Sequence, residues 1–463
     1  MRTLVFWLTL AVGACGTRAA DLHLLQTDGP SWNRLNLVFF AEGYTHGQTD
    51  RFLQDCTNAL WGNGFSAGLL NTDPFSRYAA GFNAYAVFVS SPQEGADRPA
   101  LNPPVWVNTY FDATFGPTDW VLGLAASGRA RLNTLLDAHF PTNAYPHRFP
   151  IVLVNTPYQD GGGANTNLLL AATGPTFLEI FVHESGHLLG GLGDEYDQGR
   201  EGLEASLFGE APNVTQETNR AQIKWREWID ETTPVPTPAG FGDVIGLFAG
   251  ANYSATGWYR PRPDCRMRSL QPEVPFCEVC REALVRHIYS RLSWWDAVTP
   301  ATNFWVLTNA TPVVFAVTPI PWPTEIFTYR WSLDGVWFTN TPTPALSVVP
   351  TLLTSGLHTL ELTVADVSDW LRPSADPEVS QTHRWQLSVS LPTLHFTRCG
   401  LTPEGRFWFE LHGPDTAAFA IETSTNWQHW TPLLTNTLKA GSFGHTNTDV
   451  AGSARHFYRA KIR

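Results

Sequence analysis

The sequence predicts a mixed α/β (α+β) domain followed by two small all-β modules. Its 463 residues exceed the length of one ordinary domain. Up to about residue 295, short apolar runs typical of strands alternate with segments whose apolar residues recur at helical spacing. Beyond that point Pro and Thr become frequent, and the apolar runs are short and evenly spaced, which indicates β modules. The high aromatic content (13%) and low charged content (16%) favour folded domains over disorder.

Residues 1–20 have the pattern of an export signal. Arg2 gives a positive start, residues 4–12 are apolar, and small residues follow. Two processing sites stay open: residues 12–15 resemble a lipoprotein box that would acylate Cys15, and residues 17–19 offer an ordinary signal-peptidase site. We therefore expect a secreted, cell-surface or periplasmic protein of bacterial export, without a transmembrane helix and with a lipid anchor at Cys15 as the alternative. A formal net charge of −12 argues against a nucleic-acid partner.

Three segments are predicted in order along the mature chain. Residues 21–297 form the mixed domain, residues 298–392 an immunoglobulin-like or PKD-like β-sandwich, and residues 393–463 a small C-terminal β module. Within the mixed domain, apolar runs and periodicity predict strands and helices. The predicted strands are 35–40, 85–89 and 151–154, and the predicted helices are 48–60, 176–189 and 278–292.

The helix predicted for residues 176–189 has clear signals at both ends. Thr176 and Glu179 have the spacing of a capping box at its start. Gly190, Gly191 and Gly193 follow its last apolar residues, and glycine readily adopts the left-handed conformation that ends a helix. The apolar stripe between these ends predicts a buried helix.

A His-Glu-x-x-His motif, His183, Glu184 and His187, lies within this helix. Residues four apart share one face, so two imidazoles can bind one zinc ion, and Glu184 beside them can accept a proton from an activated water. The same trio could arise by chance on a solvated helix face. The apolar remainder of the helix, the Gly-rich turn and the acidic pair that follows favour chemistry instead. The motif predicts one catalytic Zn²⁺ ion with Glu184 as the general base.

A catalytic zinc site needs a third protein ligand and one open position. The third ligand can come from a separate helix downstream, or from a residue that a sharp turn brings back. Gly190 and Gly191 favour the turn, and Asp194 is then the predicted third ligand. Glu195 remains the alternative, either as the ligand or as a group that orients a ligand histidine. The competing interpretation of the acidic pair is a solvated loop.

Six cysteines occur in the chain, and three of them cluster in sequence, at Cys265, Cys277 and Cys280. An exported protein permits disulfides, so we expect a bridge that involves this cluster. The Cys-x-x-Cys pair could also be half of a zinc knuckle. Because there is no matching second pair, the disulfide is the favoured interpretation.

The chain resembles the IgA-peptidase (igalysin) family of bacterial, metzincin-like zinc metallopeptidases. The segments that carry the resemblance occur in family order over about 250 residues. They are residues 38–44, 82–85, 154–155, 183–196, 213–215 and 259–261, then Cys265, Met267 and residues 276–280.

This resemblance implies a metzincin-like catalytic domain in which a twisted sheet lies above the active-site helix. It implies His183, His187 and Asp194 as zinc ligands and Glu184 as general base. It also implies that Met267, the only methionine after the initiator, lies in a tight turn under the zinc. The acidic ligand departs from the family pattern, because it lies one residue further from His187 than the third histidine of typical metzincins.

We therefore expect a secreted zinc-dependent endopeptidase whose partner is a protein or peptide substrate. The strand at residues 151–154 is expected to pair with extended substrate. Tyr259 could stabilise the oxyanion, although core packing is the favoured role. Two alternatives stay open: a catalytically silent, zinc-stabilised binding protein that presents its β modules to a glycan or cell surface, and a hydrolase of non-peptide amides.

Overall fold

The computed structural model describes residues 20–198, 209–308, 311–338, 343–372, 379–390, 393–448 and 455–462. The predicted export signal and Cys15 lie outside these residues. Two compact units make up the chain: the first comprises Met1–Asp296, Thr318–Thr328 and Val364–Gln381, and the second comprises Ala297–Val317, Tyr329–Thr363 and Thr382–Arg463. In the part of the chain that the structure describes, no helix is both long and apolar enough to span a bilayer.

Within the residues that the structure describes, the first unit contains four α-helices and three groups of strands. The helices are α1 (Thr49–Trp61), α2 (Ala126–His139), α3 (Phe177–Gly190) and α4 (Glu278–Arg291). The strands are β1 (Asp21–Gln26), β2 (Leu35–Glu42), β3 (Phe82–Phe88), β4 (Ala113–Phe115), β5 (Leu122–Leu124), β6 (Arg148–Val154), β7 (Gly162–Asn165), β8 (Leu168–Ala172), β9 (Phe248–Ala251) and β10 (Ser254–Arg260).

One six-stranded sheet organises this unit, with strand order β1-β3-β2-β6-β8-β7. The four central strands are parallel, while β1 and β7 run antiparallel at the two edges. Every residue of β2 is buried, as expected for a central strand covered by helices on both faces. The mixed helix-and-sheet class predicted from the sequence is confirmed for this unit.

The alternation of side chains along the strands divides the core into two layers. Val38 and Phe40 of β2 pack in a cluster with Leu132 and Leu136 of α2. Phe39 points to the opposite face, where its ring lies 5.9 Å from that of Phe181 in α3. Helices therefore cover both faces of the sheet, and α3 lies against its apolar surface.

The second unit is built from strands. The structure has β11 (Trp295–Thr299), β12 (Phe304–Leu307), β13 (Val313–Pro319), β14 (Phe327–Leu333), β15 (Val336–Trp337), β16 (Ala345–Val348), β17 (Gly356–Asp366), β18 (Ser380–Val389), β19 (His395–Leu401), β20 (Phe407–His412), β21 (Ala418–Ser424), β22 (Thr431–Thr437), β23 (Ser442–Asn447) and β24 (Phe457–Ile462). Several of these strands extend past the boundary between the units.

Four small sheets result, with strand orders β11-β13-β16, β12-β18-β17-β14-β15, β19-β20-β23 and β22-β21-β24. In the earlier strands the buried rings of Trp331 and Trp385 stack, with centroids 5.7 Å apart. The last six strands have a core of their own, built from Phe409, Leu411, Phe419, Ile421 and Leu438. The predicted Ig-like assignment and domain boundaries stay predictions.

Candidate metal centre and active site

Helix α3 is held in the core by its apolar side chains, which are buried along nearly its whole length. The predicted capping box at its start is wrong. The Thr176 side chain makes no capping bond, and the Thr176 N–H instead donates to Asp160 Oδ1 at 2.8 Å. Glu179 bonds to Ser66. Asp160, a loop residue, therefore accepts a hydrogen bond at the start of the helix, where the sequence pattern predicted a bond within the helix itself.

Three side chains converge beside the C-terminal half of α3. The Nε2 atoms of His183 and His187 lie 3.1 Å and 3.2 Å from Oδ1 of Asp194. His183 and Asp194 are buried, whereas His187 is partly exposed. The one-turn spacing of the histidines therefore places both imidazoles against the same carboxylate, as the motif predicts.

Backbone carbonyls determine which ring nitrogen carries the proton on each histidine. Nδ1 of His183 lies 2.9 Å from the carbonyl oxygen of Arg266, and Nδ1 of His187 lies 2.6 Å from that of Leu192. A carbonyl only accepts hydrogen bonds, so each Nδ1 carries hydrogen, and each Nε2 faces Asp194, where it either holds a proton bonded to the carboxylate or offers a lone pair to a metal ion.

When a metal ion takes the place of the proton, the convergent atoms are two imidazole lone pairs and a carboxylate oxygen, all of them acceptors. Such a set is stable when a cation lies between its members. Two histidine nitrogens with one carboxylate oxygen form a donor set that suits zinc and leaves one position open. The three residues therefore fit the metal ion that the motif predicts.

The charges of the three groups are strongly linked. Burial alone would raise the pKa of Asp194, but the adjacent imidazoles of His187 and His183 lower it well below its usual range. Burial alone would lower the pKa of His187, yet the Asp194 carboxylate outweighs it and raises that pKa to about 9. Asp194 is therefore ionised at neutral pH and attracts positive charge to this point.

Glu184 lies beside this group and is partly exposed. Its carboxylate accepts a hydrogen bond from the backbone N–H of Ala164 in the edge strand β7. A Cβ on Gly162, also in β7, would lie only 2.9 Å from Glu184 Oε1, so this glycine makes room for the carboxylate. Burial raises the pKa of Glu184, and the two histidines partly offset that shift. A carboxylate in such a position can accept and return a proton.

The glycine-rich turn brings Asp194 back to the helix. Gly191 adopts the left-handed conformation at φ 59°, where α3 ends. The following turn is fixed by Asn213, whose Oδ1 accepts from the Gly193 N–H at 2.7 Å and whose Nδ2 donates to the Gly193 carbonyl at 2.8 Å. The Asn252 N–H donates to the Asp194 carbonyl at 2.9 Å. Contacts on both sides of Asp194 therefore hold its backbone in place.

Met267 lies directly under α3. A Cβ placed on Gly186, between the two histidines, would lie 2.5 Å from Met267 Sδ. Met267 is fully buried and sits in a tight turn, in which the Arg268 N–H donates to the Cys265 carbonyl at 2.8 Å. Met267 therefore packs against the part of α3 that carries the two histidines.

The candidate active-site residues lie within a segment that matches the sequence model of one protein family. The model for IgA Peptidase M64 matches residues 23–240 and 239–288, more than half of the chain. The chain belongs to the IgA peptidase M64 family. The resemblance drawn from the sequence is confirmed, and the match covers His183, Glu184, His187 and Asp194. Members of the family are peptidases, so this chain is assigned to that class of enzyme.

Comparison with other known proteins adds little to the family assignment of this M64 peptidase. No curated protein sequence matches the chain. Three N-terminal domains of the outer capsid protein Hoc of bacteriophage RB49 are 12% identical over 36% of this chain and 61% of that chain, with a TM-score of 0.15. The human OSCAR ligand-binding domain is 15% identical over 37% of this chain and 90% of that chain, with a TM-score of 0.14. Scores this low carry no argument about the fold.

Glu195 of the M64 peptidase does not join the histidines. Its carboxylate turns the opposite way and meets Cys265, Cys277 and Cys280. Of the two acidic residues, it is Asp194 that lies with the histidines.

The structure does not contain the disulfide that was expected from the sequence. Cys265, Cys277 and Cys280 are all buried free thiols. The Sγ atoms of Cys265 and Cys280 are 3.7 Å apart, well beyond the roughly 2.05 Å of a disulfide bond. Cysteine spacing alone predicted a disulfide. In the structure the three thiols share their site with the Glu195 carboxylate.

The expectation that β6 pairs with extended substrate is also wrong. β6 is bonded to β2 on one side and to β8 on the other, so neither of its edges is available. The edge strands of the sheet are β1 and β7, and β7 lies next to α3. Sequence hydrophobicity could not distinguish these strands, because strand order is a property of the topology.

Two tyrosines near the metal-ligand group were missed by the sequence argument. The Tyr196 ring stacks near that of His183, with centroids 6.2 Å apart. The Tyr196 hydroxyl donates to the Tyr253 hydroxyl at 2.8 Å, and Tyr253 in turn bonds to Asp194. Tyr259, the tyrosine singled out in the sequence, instead lies in β10, where its backbone pairs with Thr215. Tyr196 could have been noticed in the sequence because it lies two residues after Asp194.

Proposed function

We propose that this M64 peptidase is a secreted, zinc-dependent endopeptidase of metzincin-like type. The observation that carries the proposal is the convergence of three acceptor atoms, from His183, His187 and Asp194, with Glu184 beside them. The Met267 turn under the helix supports the metzincin-like architecture. A zinc ion bound by these residues would polarise the scissile carbonyl and provide a nucleophilic water at neutral pH.

Glu184 is the proposed general base. Its carboxylate takes the proton of the attacking water and later returns it to the leaving amine, so the chain consumes no proton over the cycle. The Ala164 N–H holds one side of this carboxylate, which orients it beside the histidines. The two ligand histidines are held in the correct tautomer by backbone carbonyls, which keeps both Nε2 atoms free for the metal.

Tyr253 is the proposed hydrogen-bond donor to the oxyanion. Its hydroxyl receives a hydrogen bond from Tyr196 and donates its one proton to Asp194, so that proton would turn from the carboxylate to the oxyanion as charge develops there. We expect Tyr253→Phe to lower kcat with little change in KM or in bound zinc, because a donor that acts in the transition state affects the chemical step. A variant with unchanged kcat would remove Tyr253 from the mechanism.

The substrate proposed is an extended protein or peptide segment. Specificity is set by the walls of a cleft and not by the fold, so the family name alone does not select a substrate. Export of the chain is proposed on the pattern of residues 1–20, which include a positive start and an apolar run.

The test compares the wild type with Glu184→Gln on casein and on a broad peptide library, with zinc content measured for both. We expect the variant to keep its zinc and to lose about 10²- to 10⁴-fold in kcat/KM, the usual contribution of a general base. Glu179→Gln is the matched control, because it makes the same change five residues earlier on the same helix, where the carboxylate bonds to Ser66. This control should cleave like the wild type.

Other outcomes separate the alternatives. If the wild type and Glu184→Gln both hold zinc and neither cleaves any peptide, the silent binding protein replaces the peptidase. If small non-peptide amides are hydrolysed while casein and the library are not, the enzyme is an amide hydrolase of another class. Equal cleavage by the wild type and Glu184→Gln would contradict the assigned base.

A further inference from the structure

A second group of metal-ligating side chains lies behind the candidate active site. It consists of Glu195, Cys265, Cys277 and Cys280, whose ligand atoms all lie within 4.8 Å of one another. All four residues are buried. The Cys280 thiol is 3.0 Å from Glu195 Oε1, and the Cys277 N–H donates to Cys265 Sγ at 3.2 Å. The proposed peptide hydrolysis uses none of them.

The Glu195 carboxylate is incompletely bonded for a group with no solvent exposure. Its Oε1 accepts from Asn213 Nδ2 at 2.8 Å and from the Cys280 thiol. Its Oε2 has no hydrogen-bond partner in the structure. A buried carboxylate oxygen without a partner is costly and requires an explanation, and a bound cation is one that removes the cost.

The spacing of the sulfurs favours metal coordination over a disulfide. Two sulfurs at about 2.3 Å from one zinc ion, in tetrahedral arrangement, are about 3.8 Å apart. The Cys265 and Cys280 sulfurs are 3.7 Å apart, which matches that arrangement. Soft thiolate ligands select zinc over calcium or magnesium. The Cys277–Cys280 pair also has the two-residue separation that is typical of structural zinc sites.

We propose that Glu195, Cys265, Cys277 and Cys280 bind a second, structural zinc ion. With four protein ligands the coordination is complete, which distinguishes this site from the three-ligand group at the histidines. Binding replaces the three thiol protons with the metal and releases them to solvent, with no change in oxidation state. The Arg260 guanidinium, which acts electrostatically on Glu195, offsets part of the remaining negative charge.

The second ion would join three segments that are distant in sequence. Glu195 directly follows Asp194, Cys265 is two residues before Met267, and the last two cysteines lie at the start of α4. The Glu195 N–H also donates to the Met267 carbonyl at 2.8 Å. The structural ion is therefore placed to hold both the third candidate ligand and the methionine turn in position, so its ligands are positioning residues.

The experiment measures zinc per chain in the purified full-length protein by mass spectrometry of the metal. The variants are Cys280→Ser for the structural site, His187→Ala for the candidate active site, and Cys56→Ser, a buried cysteine outside the group, as the control. We expect two zinc ions in the wild type and in the control, and one in each of the other two variants. This pattern is independent of whether the enzyme cleaves peptides.

Cobalt substitution identifies which ion is which. Co²⁺ bound by thiolates gives an intense sulfur-to-metal charge-transfer band, which histidine and carboxylate ligands do not give. We expect the band in the wild type and in His187→Ala, and its loss in Cys280→Ser. Because His187→Ala leaves the cysteine group intact, this measurement decides the question even if Cys280→Ser fails to fold.

Two results would overturn the proposal. A wild type with one zinc ion that disappears in His187→Ala, together with no thiolate band, would leave the proposed peptidase intact and remove the structural site. An intact mass lower by two hydrogens, with only one of the three clustered thiols reactive after denaturation, would show that a disulfide forms in the protein instead.

Discussion

Asp194 and Glu195 are neighbours in sequence and belong to two different groups of candidate metal ligands. Asp194 faces His183 and His187, at a place where His187 and Glu184 are partly exposed. Glu195 faces three cysteines in a fully buried group. The first group has three ligands and an accessible base, while the second has four ligands and no access to solvent. The difference matches the division between catalytic and structural zinc sites.

One short turn places a carboxylate in each group, one in the candidate active site and one in the buried cysteine group. The turn after Gly191 is fixed through Asn213, which bonds to the backbone of Gly193 and to the Glu195 carboxylate. The Asn213 side chain therefore contacts both the turn that precedes Asp194 and the carboxylate of the cysteine group. The following substitutions are designed to separate the two groups.

The largest effect is expected for Asp194→Asn. The amide is neutral and binds zinc weakly, so the histidines lose both their third ligand and its charge. We expect a fall in kcat/KM of at least about 100-fold and loss of the zinc ion proposed at the histidines. The cysteine group should remain, which the thiolate band of the cobalt protein would report. Near-normal activity would mean that the third ligand lies elsewhere.

Glu195→Gln should affect stability more than chemistry. The substitution removes a charged ligand from a buried group, and we expect the free energy of unfolding to fall by about 2 kcal/mol or more. Denaturant unfolding monitored by fluorescence measures this change. The loss of kcat per folded molecule should be much smaller than in Asp194→Asn. A reversed order, with the larger loss of kcat in Glu195→Gln, would contradict the assignment of the two carboxylates.

Gly186→Ala tests the contact between α3 and the methionine turn. The added methyl group would lie 2.5 Å from Met267 Sδ and 3.1 Å from Phe276 Cε1, so the turn must move. Overpacking of this kind costs about 1–3 kcal/mol, which a thermal or denaturant melt measures. Gly47→Ala is the matched control, because no atom lies within 4 Å of the added group. Equal stability of the two variants would show that α3 and the turn are not in close contact.

Met267→Leu is expected to have the smallest effect. Leucine has nearly the same volume, so the cost should stay under about 1.5 kcal/mol, and zinc content should be unchanged. Activity should fall only slightly, since the side chain contributes packing and not a ligand. A large loss of bound zinc in this variant would show that the methionine does more than fill the space under the helix.

Much of the candidate active site could be predicted from the sequence because its signals are local. Helical spacing fixed the relative position of His183 and His187, and the glycines after the helix indicated the turn that returns Asp194. Three of the four central strands, β2, β3 and β6, were also predicted, because both faces of a parallel sheet are buried and leave continuous apolar runs. The fourth, β8, was not predicted. Positions that depend on a few consecutive residues could therefore be predicted from the sequence.

The remaining features depend on contacts between distant segments. Glu195 meets Cys280 across 85 residues, and Tyr196 meets Tyr253 across 57. No local pattern reports such pairs, so the cysteines were assigned to a disulfide and Tyr253 was missed. The capping box failed for a similar reason, because Asp160 from a preceding loop bonds to the start of α3.

The most direct test of the catalytic centre is anomalous X-ray diffraction from crystals of the active protein, with data collected on both sides of the zinc absorption edge. We expect a peak about 2.0–2.1 Å from Nε2 of His183 and of His187, and about 2.0–2.2 Å from a carboxylate oxygen of Asp194. A crystal of protein that cleaves peptides, with no metal at this point, would contradict the account.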